Sequence, residues 1–451
     1  MHSSLLTICA TVAAASAQSL NPSAYAACDI IERDVAIIGG GSSGTYGAVR
    51  LRDHGQSVVL IEKNNVLGGH CEGYTIPDTG QLLDYGVENF QNTSTVQSFF
   101  GKFNMDLIPY ASDAKRRQYV DFSTGTVYSN YSMTPPDFEA YVDELERFPY
   151  LAQGWDLPEP VPEELLIPFG QFIKKHSLRD IAHILASFAV GNGHSLDQTT
   201  AYVLKSVDKA FIEGFQGNNV MSSTTNWELY MRAQEYLGSD ALVSSTVVAA
   251  SRPSDGSKST LFVHTPSGLK IVIAKKVLVA MPQKIENMAN LGLDRTERSL
   301  FSQFTNTALY VGLVKDTGIP DDTDTLGVDL DNVYDIPSIP GVVQLQSTDV
   351  PGVYRPWYSS ESSMTADKVA AATLATIKRM TGKDATFMVF GNHTPYQLTV
   401  SPDAIRNGFY DSLTSLQGHR NTWYTGAAFL APHTAALWQF TEALIPQIIA
   451  E

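Results

Sequence analysis

Short apolar runs separated by glycine turns alternate with helix-like patterns through the first third of the chain. Residues 34–38 read Asp-Val-Ala-Ile-Ile, a compact run suited to a parallel strand buried on both faces. The turn Gly39-Gly40-Gly41-Ser42-Ser43-Gly44 follows, then a helical stretch, TYGAVRLRDHG, and a second apolar run at 57–61 that ends in Glu62. In mid-chain, runs at 261–263 and 269–273 flank Thr265-Pro266-Ser267-Gly268, a turn between two strands. A buried-type strand at 277–280 then stops at Pro282. Helical patterns occupy 162–176 and 178–189, and further strands are expected at 308–313, 341–346 and 385–390. Near the end, 422–428 reads as a strand running into small residues. A helix carrying Ala435, Leu437, Trp438, Phe440 and Leu444 follows, with Thr434 as its expected N-cap.

The first unit has a chemical meaning. Gly39 permits the tight turn, Gly41 lets the backbone approach a pyrophosphate, and Gly44 with Ala48 keeps the helix close to the sheet. The helix start offers unpaired N–H groups and a positive dipole end to an anion. Glu62 is placed to accept hydrogen bonds from ribose hydroxyls, with Ser43 and Lys63 as neighbouring cofactor candidates. Strand, glycines, helix, second strand and terminal acid occur in order, which is far more specific than the glycines alone.

Six residues after Glu62 come Gly68-Gly69, followed by His70. This Glu-x5-Gly-Gly extension resembles the signature of the flavin-containing amine oxidase superfamily. The resemblance implies non-covalent FAD, with Tyr85, Gly86 and Val87 beside the isoalloxazine and His70 at cofactor or substrate. It also implies a backbone contact from Val247 to adenine. Gly426, Ala427, His433, Thr434 and Ala435 would lie at the flavin pyrimidine edge, where a helix N-terminus stabilises the anion of reduced flavin. The implied fold is α/β. A discontinuous Rossmann-type, glutathione-reductase-like FAD domain is assembled from 29–95, 235–285 and 415–451. An α+β substrate domain with a mixed sheet and helical cover takes 96–234 and 286–414. GGGSSGTYGAVRLR, IEKNNVLGGH, YGVENF, FGNHTPYQLTV and GFYDSLTSLQGHRNTWYTGAAF together are similar to fungal flavoproteins of the beta-cyclopiazonate dehydrogenase type. Members oxidise secondary metabolites, which implies a related task here.

One departure matters. Typical amine oxidases carry a lysine that holds a water against flavin N5, in the strand matched by 305–313. That stretch has Asn306 and Thr307 but no lysine, so simple amine oxidation is not expected. The candidate bases are His393, Tyr310, Tyr358 and His433; the place of His393 inside a glycosylation triplet favours an exposed loop. Tyr354, Trp357 and Tyr358 suit either an aromatic substrate wall or ordinary core packing.

Composition narrows the classes. The formal net charge is −16, from 47 acidic and 31 basic residues, and no cationic block stands out, which disfavours nucleic acid and anionic membranes. No Cys/His cluster has metal-ligand spacing, so no metal is expected. Of three cysteines, Cys9 lies in the leader, and Cys28 and Cys71 have the option of pairing. The leader, an apolar run at 5–15 ahead of Ala15-Ser16-Ala17, reads as a signal peptide over 1–17. The triplets at Asn92, Asn130 and Asn392 fit N-glycosylation on a secretory route. No later run is long and apolar enough to span a bilayer. The expected function is therefore a secreted FAD-dependent oxidoreductase acting on a small specialised metabolite, with O2 as acceptor. A redox-neutral isomerase of polyunsaturated fatty acids and a non-catalytic flavin-binding protein are the alternatives.

Overall fold

The computed structural model describes residues 25–109, 115–217, 220–223 and 225–450. The signal peptide expected over 1–17 lies outside them. Strand β1 (Ile30–Ile38) enters helix α1 (Ser42–Asp53) through the glycine turn, and β2 (Val58–Ile61) returns beside it. The third long strand, β3 (Gly268–Val279), pairs parallel with β1 from Ile30↔Ile271 to Ile38↔Val279. The runs at 269–273 and 277–280 are thus one strand, since Lys275 and Lys276 sit at its partly exposed stretch without breaking it. Short strands Ala241–Leu242 and Thr422–Tyr424 add to the parallel set, and Ser259–Thr265 and Thr246–Ser251 extend it antiparallel. One sheet therefore joins three distant stretches of chain. Val35, Ala36 and Ile37 are fully buried, Val35 and Ile37 each contributing about 1.5–3 kcal/mol on leaving water.

A second, mixed seven-stranded sheet forms the other unit. Its central strands are β4 (Ala308–Lys315) and β5 (Tyr354–Ser360); helix α2 (Ala366–Thr381) follows, and β6 (Thr386–His393) is an edge. The period-2 alternation splits β4 between two cores. Ala308, Tyr310 and Val314 pack under α2 with Tyr354 and Tyr358. Leu309, Val311 and Leu313 face the opposite way, against Ile76, Leu83 and Tyr85 of the first unit, with Trp357 beside them. The chain ends in α3 (Thr434–Ile449), packed on α1.

Two helical expectations change in detail. The 162–176 pattern is a short turn, Glu163–Leu165, and a separate helix, Phe169–Lys175, because Pro168 lacks an N–H and stands at the start of the second piece. The 178–189 pattern opens as a tight turn, Arg179–Ile181, before the helix Ala182–Phe188. Cys28 and Cys71 are both free: Cys28 is exposed and Cys71 buried.

The stretch 416–424 builds a buried ionic network. Arg252 and Glu297 form a bidentate pair at 2.7 and 2.9 Å, both side chains fully buried. Tyr424 donates to Glu297 at 2.7 Å, Arg420 donates to it at 3.0 Å, and His419 contacts Asp294 at 2.6 Å. The Gln417 amide clasps both backbone groups of Tyr424. Burial raises the Glu297 carboxyl, but the hydrogen bond and charge of Arg252 outweigh it and hold the group below its ordinary value. The stabilisation is thus present above the unfolded carboxyl value near 4.5 and is lost as pH falls through the lower folded value. Glu297→Gln leaves Arg252 buried without its counter-charge. It is expected to cost about 3–5 kcal/mol in thermal or denaturant unfolding, a deficit that shrinks on acidification.

Candidate functional site

The site is built where two glycine segments cross. Gly39 has φ +103°, and its N–H donates to the Ile61 carbonyl at 2.9 Å. A Cβ on Gly44 would stand 1.8 Å from the Gly39 oxygen, so only glycine lets α1 begin here. A Cβ on Gly69 would come within 2.8 Å of the Gly41 Cα, and the Gly68 N–H donates to the Gly40 carbonyl at 2.9 Å. Glu62 locks the crossing: one carboxylate oxygen accepts from the Gly40 N–H at 2.6 Å and the other from the Asn64 N–H at 2.8 Å. Each oxygen retains a lone pair for a ribose hydroxyl.

This cradle fits a dinucleotide on its own features. The N-cap of α1 is Gly41, which supplies no side-chain cap, and the first turn holds no acid. Ser42 Oγ is buried without a hydrogen-bond partner, and Ser43 is buried in the same turn. Such a terminus has free N–H groups and a favourable dipole for a diphosphate. Helix α3 also starts without a side-chain cap, and Trp438 within it donates to the Ser42 carbonyl at 3.2 Å, so the two bare helix ends converge. Gly426, at φ +109°, and Ala427 lie on the approach to α3.

Several expected contacts are placed differently. Thr434 is the first helical residue, not the N-cap; that position belongs to His433, whose Nε2 is tied to the Ser206 carbonyl. Ala435 is buried in the helix packing. The Val247 carbonyl is occupied by Asn290 Nδ2 at 3.2 Å, so only its other backbone group is free of that bond. Lys63 is exposed. Tyr310 and Tyr358 are corrected outright: they point into the α2 side of the sheet, and the Tyr310 hydroxyl bonds the Met364 backbone. They stand on the face turned away from the cradle, and of the aromatic cluster Trp357 alone faces it.

His393 is also corrected, from exposed loop to buried strand. On β6, Asn392 points outward and His393 inward, opposite Leu309. His393 Nε2 lies 2.8 Å from Glu72 Oε2, and its ring stacks on His70 at 4.2 Å between centroids. Tyr396 also stacks on His70, at 5.6 Å between ring centroids. His70 is held by its own backbone, whose carbonyl accepts from the Val87 N–H at 3.2 Å; a Cβ on Gly86 would meet that oxygen at 1.9 Å. Tyr85 N–H donates to the Glu72 carbonyl at 2.9 Å. Burial, then the charges of His393 and Lys63, push the His70 imidazole well below its ordinary value. Burial pushes the Cys71 thiol up, which keeps it protonated and unreactive.

Sequence reasoning missed Glu72, Tyr396, Arg355 and Lys284. Arg355 reaches from β5 to Glu88 and the Asp84 carbonyl, pinning the 84–90 segment to the second sheet. The Lys284 ammonium meets Asn306 Oδ1, so a lysine does reach the 305–313 stretch, from 22 residues upstream. A signal existed only for Glu72, an acid two residues beyond His70.

The comparisons with known proteins agree with this geometry. Residues 37–103 match the family described as NAD(P)-binding Rossmann-like domain. The chain is 38% identical over 445 residues to the FAD-dependent oxidoreductase pigF of Monascus ruber, covering 96% of this chain and 95% of that one. It is 34% identical to the beta-cyclopiazonate dehydrogenase of Aspergillus oryzae, covering 93% and 94%. In fold it is similar to a CLA-producing fatty acid isomerase from P. acnes, with a TM-score of 0.75 at 18% identity over 93% of this chain and 99% of that one. The class is a Rossmann-type flavoprotein. Within it, the chain belongs to the family of fungal FAD-dependent oxidoreductases, and FAD is its cofactor.

Gly69→Ala is expected to abolish flavin binding, because its Cβ meets the Gly41 backbone at 2.8 Å as well as straining φ +60°. Gly80→Ala carries similar strain at φ +70° with nothing within 4 Å, and should keep its flavin. The strain costs about 1–2 kcal/mol in both, so a difference in the flavin absorption of the two purified variants isolates the contact.

Proposed function

We propose that the protein oxidises a specialised-metabolite substrate, by dehydrogenation or oxidative ring closure, and passes the electrons to O2. The observation that carries this reading is the buried pair of His393 and Glu72 on an apolar sheet face that abuts the dinucleotide cradle. Bound FAD supplies the hydride acceptor at N5. The backbone amides at the starts of α1 and α3 bind and orient the cofactor. Leu309 and Val311, buried with Trp357 beside them, keep the surroundings of His393 dry, which strengthens each polar contact made there. His393, paired with Glu72, is our candidate to accept a proton from the substrate. The resemblance to beta-cyclopiazonate dehydrogenase supports a metabolite substrate.

Secretion and glycosylation are part of the same proposal. They rest on the apolar leader and on the triplets at Asn92, Asn130 and Asn392, of which Asn130 and Asn392 carry exposed side chains.

Purified holoenzyme, mixed anaerobically with a metabolite panel beginning with beta-cyclopiazonate, is expected to lose its yellow absorption. On admitting air, one O2 should be consumed and one H2O2 formed per substrate oxidised. Product formed with no oxygen consumed would identify an isomerase instead. Flavin that no panel member bleaches would favour a non-catalytic carrier.

A further inference from the structure

We propose that His393, held by Glu72 and backed by the stacked ring of His70, is the proton acceptor of the oxidation. It would take the proton from a substrate whose reacting C–H bond neighbours an N–H or O–H group. This rests on the oxidoreductase reading and adds to it a substrate class and a proton path.

The three residues come from both structural units. Glu72 and His70 follow the glycine crossing, and His393 comes from the edge strand β6 of the second sheet. The 2.8 Å contact spends His393 Nε2 on the carboxylate. That bond fixes the tautomer with Nε2 as donor and leaves Nδ1 with its lone pair free. No described residue hydrogen-bonds Nδ1, and none bonds the His70 ring. His393 is 3% exposed, so its contacts are with fixed neighbours.

The surrounding groups leave Glu72 as the carboxylate in contact with the pair. Tyr85 is buried and Tyr396 half-buried, and desolvation pushes both hydroxyls up, Tyr396 to about 12, so both stay neutral. Cys71 also stays neutral. Asp84 is turned to Thr225 and the backbone amides of Asn226 and Trp227, with Arg355 nearby. Lys63 also acts on His70 through its charge. Two imidazoliums stacked at 4.2 Å would repel strongly, so the pair takes up one proton, not two. Glu72 places that proton on His393.

The step balances. The substrate C–H bond breaks and its electron pair leaves as hydride to bound FAD. The neighbouring X–H bond breaks and its proton goes to His393 Nδ1, and the X–H electron pair closes the C=X bond. Two electrons and two protons leave the substrate. One proton travels with the hydride and one rests on the imidazole, whose affinity for it rises because the cofactor has gained negative charge.

The test needs no substrate. The midpoint potential of FAD in the holoenzyme is measured by dithionite titration with mediator dyes at a series of pH values above about pH 7, in the range where histidine charge is sensitive to its neighbours. The wild type should take up two protons per two electrons, one on the cofactor and one on His393. His393→Asn and Glu72→Gln should take up one, halving the pH slope, and Glu72→Asp should restore part of it. A one-proton slope in the wild type overturns the proposal whether or not the variants fold. A two-proton slope that persists in flavin-loaded His393→Asn also overturns it. Either result leaves the oxidoreductase reading standing, whereas a wild-type protein that binds no FAD would sink that reading itself.

Discussion

Everything in this fold that concerns chemistry hangs on a contact between two backbones. Gly41 and Gly69 approach so closely that Gly69 accommodates no side chain, and Glu62 ties the crossing by accepting the Gly40 and Asn64 amides. A strand-to-helix turn alone gives a phosphate site. The crossing does more, because it fixes where the chain goes next. His70, Cys71 and Glu72 follow directly, and the 85–87 stretch is registered against them by the Val87 and Tyr85 amides. The residues that bind the nucleotide and those that face the substrate surface are thus one rigid piece.

The second sheet is joined to that piece by polar contacts at the rim of an apolar seam. Leu309, Val311 and Leu313 meet Ile76, Leu83 and Tyr85 in the seam. At its edges, Glu72 holds His393, and Arg355 holds Glu88 and the Asp84 carbonyl. The apolar part supplies most of the association energy, since area removed from water sets its size. The polar part supplies register, because a hydrogen-bonded pair tolerates little displacement before the buried groups go unpaired. A sheet that slid by one residue would turn His393 outward and Asn392 in.

What was legible in the sequence follows from this division. The glycine turn, Glu62 and the Gly68-Gly69 pair announce themselves because backbone geometry demands particular residue types at fixed spacing. The core strands are legible too, as their apolar runs have no other stable use. The facing of β4 and β5 was not, because a strand buried on both sides carries no polar stripe to tell one face from the other. Tyr310 and Tyr358 therefore looked as eligible as His393. His393 itself was disguised by its neighbours: Asn392 and Thr394 made a triplet that suggested a loop, while alternation along β6 separated the exposed asparagine from the buried histidine. Glu72 and His393 lie 321 residues apart, and no local pattern encodes such a pairing.

The stretch 416–424 teaches the converse. Gln417, His419, Arg420, Thr422 and Tyr424 surround the buried Arg252–Glu297 pair and its helix. A buried ion pair is costly unless every lone pair and proton is answered, which explains why so many side chains are committed around one arginine. The same network sets the start of the strand Thr422–Tyr424, which pairs with β3 and leads to Gly426 and α3. Its role toward the flavin is therefore to place the helix end, not to touch substrate.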